Sequence, residues 1–110
     1  MKAQSPNSLV ISTSDGYLFI NPEEIVYCEA DGNYTSIFLI SGQRHFICRQ
    51  LGDLEGDLPG SFVRIHHSYI VNIRFLDRYD HSGLLWLKSG FAVPVARRRR
   101  QEVLWRLGID

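Results

Sequence analysis

Proline and cysteine are scarce in this chain, and no long apolar run is present. Its 110 residues include four prolines, two cysteines and one methionine. Nothing approaches the roughly 20 consecutive apolar residues that a membrane-spanning helix needs, so no membrane partner is expected. Cys28 and Cys48 are too few for a disulfide framework and lack the CxxC spacing of a zinc or redox motif. Both lie in apolar, strand-like surroundings, which predicts buried reduced thiols in a cytoplasmic protein, with a disulfide between them as the alternative. Residues 1–7 hold no apolar core of the signal-peptide kind. Residues 1–8 read as a flexible lead-in, and 9–110 as one domain of ordinary size.

Catalytic signatures are missing as well. There is no glycine-rich phosphate loop, no GxSxG elbow, no HExxH, and no carboxylate pair set for acid–base work. His66 and His67 are adjacent, and neighbours in a strand point to opposite faces, so they cannot readily chelate one metal. His45 and His81 are isolated. The sequence therefore predicts no enzyme, no catalytic residue, no metal and no cofactor.

Net charge is absent too, with 12 basic and 12 acidic side chains, but the balance hides a polarity. Residues 1–60 carry three basic against eight acidic side chains; residues 61–110 carry nine against four. An arginine-rich half attracts a polyanion even in a neutral molecule; alternatively the halves neutralise each other in the fold.

What is present is a succession of short β-forming segments separated by glycine-containing turns. Leu9–Ile11 and Tyr17–Ile20 flank Asp15-Gly16, a two-residue hairpin signal. Asn21 caps a helical turn that begins at Pro22. Ile25–Ala30 and Tyr34–Leu39 flank Asp31-Gly32-Asn33, and Arg44–Ile47 follows Ser41-Gly42. Across Cys48–Leu58, the spacing of Leu51, Leu54 and Leu58 predicts a short helix over the sheet, ended by Pro59-Gly60. Strand character returns at Phe62–Ile65, Tyr69–Val71, Phe75–Tyr79, Leu84–Leu87 and Phe91–Val95. Val103, Leu104 and Leu107 then mark a helix from about Ala96 to Leu107. No βαβ alternation occurs, so the fold class is mostly β: nine or ten short antiparallel strands with two short helices.

Three places interrupt this pattern with groups suited to phosphates or base edges. Arg64, His66, His67 and Ser68 form a polar knot between two apolar strands, with a guanidinium, two imidazoles and a hydroxyl. His66 reads either as a structural imidazole bonded to a backbone carbonyl or as a contact; His67 reads as exposed. Asn33, Tyr34 and Thr35 stand at a hairpin tip, where plain turn chemistry is the alternative. Arg97, Arg98, Arg99 and Arg100 open the last helix against its macrodipole. They read as a contact surface, strongest at Arg97 and Arg98, or as a solvated face paired with Asp53, Glu55 and Asp57.

Together Ile25–Thr35, Leu51–Leu58, Phe62–Asn72 and Val93–Arg98 resemble a LytTR-type DNA-binding domain, the output domain of many bacterial response regulators. The resemblance covers roughly residues 9–107. It implies an elongated domain of about ten strands in small antiparallel sheets, binding duplex promoter DNA through loops placed in successive major grooves. It implies DNA-facing positions at Asn33, Tyr34 and Thr35, at His67 with Arg64, His66 and Ser68, and at Arg97 and Arg98 with Arg99. The chain departs from the family in two places: His67 stands where a basic residue or Asn is frequent, and Ala96 where Ser is usual. The partners implied are double-stranded promoter DNA, a receiver domain or sensor-kinase pathway upstream, and a second copy on repeated sites. The competing expectation is a β-rich interaction module that binds an acidic partner. DNA binding requires the three places to lie together; scattered positions favour the interaction module.

Overall fold

Turn chemistry divides the chain. The computed structural model describes residues 8–109, so the lead-in falls almost wholly outside the described residues. Strands β1 (Leu9–Thr13) and β2 (Gly16–Ile20) form a hairpin in which Thr13 faces Gly16. The two turn residues are Ser14-Asp15, one position earlier than the Asp-Gly signal suggests; Gly16, at φ 142°, opens the second strand. Strands β3 (Ile25–Asp31) and β4 (Tyr34–Leu39) meet across Gly32-Asn33, with φ 62° at Gly32 and no positive φ at Asn33, the pattern of a II′ turn. Asp31 therefore belongs to the strand. Asn21 accepts from the Glu23 N–H at 3.0 Å and caps the single 3-10 turn Pro22–Glu24 as expected.

A five-stranded antiparallel sheet forms the middle layer, in the order β5-β4-β3-β7-β6, with β5 at Arg44–Ile47, β6 at Phe62–His66 and β7 at Tyr69–Asn72. Both of its faces are apolar. Ile25, Cys28, Ile37, Phe62 and Ile70 point to one side, where Leu9, Ile11 and Ile20 of the first hairpin and Leu51 and Leu54 of helix α1 (Leu51–Glu55) cover them. Val63, Ile65 and Val71 point to the other side. There Leu85, Leu87 and Val93 of a three-stranded sheet meet them, with Val103 of helix α2 (Arg100–Arg106). That outer sheet joins β8 (Leu76–Tyr79), β9 (Leu84–Leu87) and β10 (Ala92–Pro94) in the order β10-β9-β8. Successive side chains alternate across a strand, which is how Ile70 and Val71 enter different cores.

Both helices are shorter than the apolar spacing suggests. Helix α1 stops at Glu55 because Gly56 weakens its end, and the last helix opens as a 3-10 turn at Arg97–Arg99 before becoming α-helical. The two cysteines are free. Cys28 is buried as expected, but Cys48 is exposed, because it follows buried Ile47 and so falls on the outward side with exposed Phe46.

Candidate nucleic-acid interface

Strand pairing alone brings two of the predicted places together. Strand β3 runs toward the Gly32-Asn33 turn, and β7 lies antiparallel beside it with Tyr69 opposite Glu29. The His67-Ser68 turn between β6 and β7 must therefore emerge at the same end of the sheet. The Ala30 N–H donates to the Ser68 carbonyl at 2.9 Å and fastens the two tips.

The third place is fastened by a bulge. Arg64 faces Ile70 and His66 faces Tyr69, so β6 has one residue more than β7 across that interval. That residue is Ile65, whose carbonyl accepts the Ala96 N–H at 2.8 Å. The link sets the start of the arginine segment two residues from the His67 tip. From the other side, Val93 and Val103 anchor the segment in the core, and Arg106 Nη2 donates to the Gly60 carbonyl at 2.9 Å. The three places thus share one end of the central sheet.

Within that end the side chains divide into those that face outward and those engaged by the protein. His67 is exposed, and its carbonyl rather than its ring is bonded. Arg97, Arg98 and Arg100 are exposed and Arg99 is half-buried. Among the described residues none of the four forms an ion pair: Asp57 pairs with Arg49 at 2.8 Å, and Glu55 with Arg64 at 3.5 Å. The pairing with Asp53, Glu55 and Asp57 therefore does not form among the described residues, while the arginine face itself is largely exposed. Tyr34 is exposed and stacks on Phe46 with ring centroids 5.0 Å apart. Asn33 is exposed, its Oδ1 accepting from Gln50 Nε2 at 3.1 Å.

Thr35, Arg64 and His66 face inward to different degrees. Thr35 is fully buried and its hydroxyl donates to the Arg49 carbonyl at 2.7 Å, so the expected surface contact is corrected: alternation turns it to the core beside Ala30. Arg64 is only 12% exposed at its side chain and donates to the carbonyls of both His66 and His67. His66 Nδ1 accepts from the Ser68 N–H at 3.1 Å, a backbone bond as expected but to an amide rather than a carbonyl. The bulge brings its ring beside Tyr69, with centroids 5.8 Å apart. Tyr69 in turn donates to Glu29 Oε2 at 3.4 Å; burial, and then the Glu29 charge, raise its phenol above the usual range. Ser68 is half-buried, with its backbone N–H and carbonyl both engaged. Gln50, Gly52 and Glu55, all at or near α1, support this end; as one amide, one glycine and one acid among many, they stand out by no pattern in the sequence.

A strand-rich domain that gathers loops and an uncapped arginine turn at one end is a loop-presenting binding domain. It belongs to a known family of that kind: the LytTr DNA-binding domain model matches residues 15–108. The chain is 35% identical over 86 residues to the CO-responsive transcriptional regulator RcoM of Rhodospirillum rubrum, an alignment covering 72% of this chain and 36% of that protein. It spans about a third of that relative's length. A solved LytTr DNA-binding domain from Bacillus cereus superposes with a TM-score of 0.77 at 26% identity, covering 93% of this chain and 97% of that one. The LytTr DNA-binding domain family and the mostly-β fold are those that the sequence resemblance implied. Among the described residues, no helix is long and apolar enough to cross a membrane.

Proposed function

We propose that this domain recognises specific promoter sequences in duplex DNA through the three tips, as the non-catalytic cytoplasmic output of a regulator whose signal enters elsewhere. The observation that carries this reading is the pair of backbone bonds, Ala30 to Ser68 and Ala96 to Ile65, which hold Asn33, His67 and Arg97 at one end of the sheet. Arg97 and Arg98 supply planar donor forks for phosphates or for the O6/N7 edge of guanine. His67 adds an imidazole, while Asn33 and Tyr34 flank the groove with an amide and a phenol. Ser68 shapes its turn through the backbone, and Arg99, half-buried, adds a further cation to the segment. Loops in successive major grooves are the docking mode proposed. A receiver or sensor segment upstream and a second copy on repeated sites belong to the same proposal.

The test is selection of bound duplexes from a random double-stranded pool, followed by footprinting of a recovered sequence. Enrichment of one motif, with protection on one side of consecutive turns, supports the reading; recovery of no duplex at low salt ends it.

A further inference from the structure

Among the described residues, Arg64 is the one arginine of the three places whose side chain hydrogen-bonds back onto the protein. We propose that Arg64 is a positioning residue: its guanidinium does not meet the DNA but grips the tip that does, by holding the carbonyls of His66 and His67. The proposal rests on the DNA-reading role given above and assigns the tip's shape to one buried side chain.

The geometry is that of a fork closed on two acceptors. Nε donates to the His66 carbonyl at 3.1 Å and Nη2 to the His67 carbonyl at 2.6 Å. These two nitrogens share one edge of the guanidinium, the edge that ordinarily binds a carboxylate bidentately. Here it binds consecutive backbone oxygens and so fixes the relative rotation of two peptide planes. The far nitrogen, Nη1, lies 3.5 Å from Glu55 Oε1 and faces α1. At that point the helix presents Gly52, where an added β-carbon would stand 3.5 Å from Nη1, and anything longer would compete for the same space.

Reaching a phosphate would require Arg64 to release both carbonyls, leave Glu55 and rise out of a site where its side chain is 12% exposed. The neighbouring anchors serve the same tip: His66 Nδ1 takes the Ser68 N–H, and the Ser68 carbonyl takes the Ala30 N–H. Four bonds converge on a two-residue turn, and the exposed imidazole of His67 is what they present.

The proposal separates from a direct contact by charge and shape. Arg64→Lys keeps the charge and most of the stem but lacks the two-donor edge; Arg64→Ala removes both. The probe is the tightest duplex recovered from the random pool with the unaltered chain. Both variants are expected to shift the His67 and Ser68 amide resonances in the DNA-free protein. Both are expected to bind on the order of tenfold more weakly, with the log–log salt dependence of the unaltered chain. The proposal is overturned if Arg64→Lys restores binding, if Arg64→Ala lowers the salt slope by the roughly 0.9 of one lost phosphate contact, or if the amides do not move. It is equally overturned if the amides move and binding does not. Should the unaltered chain recover no duplex, the DNA reading fails, and the amide shifts still decide whether Arg64 sets the tip.

Discussion

Arginine at position 97 and threonine at position 35 differ in where their donors point. Arg97 is exposed, with no ion pair among the described residues, so its fork remains available. Replacing it by Ala should cost about 1–3 kcal/mol of DNA affinity and relax preference at one guanine, checked by binding curves on single-base variants of the selected duplex. Thr35 is the reverse, a hydroxyl consumed inside the protein. Thr35→Val should leave the Arg49 carbonyl short of a donor and lower unfolding stability by about 1–3 kcal/mol in urea titrations. Residue identity showed that a guanidinium, an imidazole and a hydroxyl were clustered in the sequence. It did not show whether the long Arg64 side chain would reach outward or fold back, because that depends on where the bulge at Ile65 puts the His66 and His67 carbonyls. The exposure of His67 was legible, since one imidazole of an adjacent pair was free to face away.

At the level of elements, hairpins were readable to within a residue, because glycine with positive φ must sit at or beside a tight turn. The exact turn positions were not, since Ser14-Asp15 and Gly32-Asn33 are set by strand register rather than by the Asp-Gly pair. One turn illustrates how polar groups fix geometry. The Asp80 carboxylate between β8 and β9 accepts from the Ser82 N–H at 2.9 Å, the Leu84 N–H at 3.1 Å and Trp86 Nε1 at 2.7 Å. Hydrogen bonds from the Ser82 hydroxyl and Trp86, before any other cause, hold that carboxyl well below the usual carboxylate range. Its contribution to stability is present above the ordinary carboxylate value and is lost as pH falls through the lowered one. Asp80→Asn should therefore lower the melting temperature at pH 7 and flatten the decline below pH 4 in calorimetry. The alkaline side has the opposite sign. Burial pushes the Cys28 thiol up to about 12, and burial, then Glu29, push the Tyr27 phenol up to about 12. Both groups favour the fold while neutral, so stability should hold below about pH 9 and fall as pH climbs toward 12. Cys28→Ala should remove the thiol's share of that fall in urea midpoints measured across the range.

Over the whole molecule, the basic half of the sequence supplies β6 to β10 and α2, and the acidic half supplies β1 to β5 and α1. The two halves meet along one seam of the central sheet, with β5, β4 and β3 of the acidic half on one side and β7 and β6 of the basic half on the other, so the charge polarity seen in the sequence carries over into the fold. The domain measures 47 × 29 × 24 Å, long enough along its greatest axis to reach past one turn of B-DNA at about 34 Å. Neutralising about four phosphates would give a log–log salt slope of about −3.6 for binding, and a nearly salt-independent interaction would contradict the arginine end as the contact surface.

The two-sided apolar character of the central sheet bears on what happens when the chain is cut. A sheet with one wetted face survives the loss of a layer, but β3, β6 and β7 have no wetted face to fall back on. A chain ending before β8 would leave Val63, Ile65 and Val71 as a bare strand surface beside open edges, the arrangement that seeds intermolecular pairing. Such a fragment should appear in inclusion bodies rather than as a smaller folded domain. The outer three-stranded sheet is thus a solubility shield as much as a structural layer.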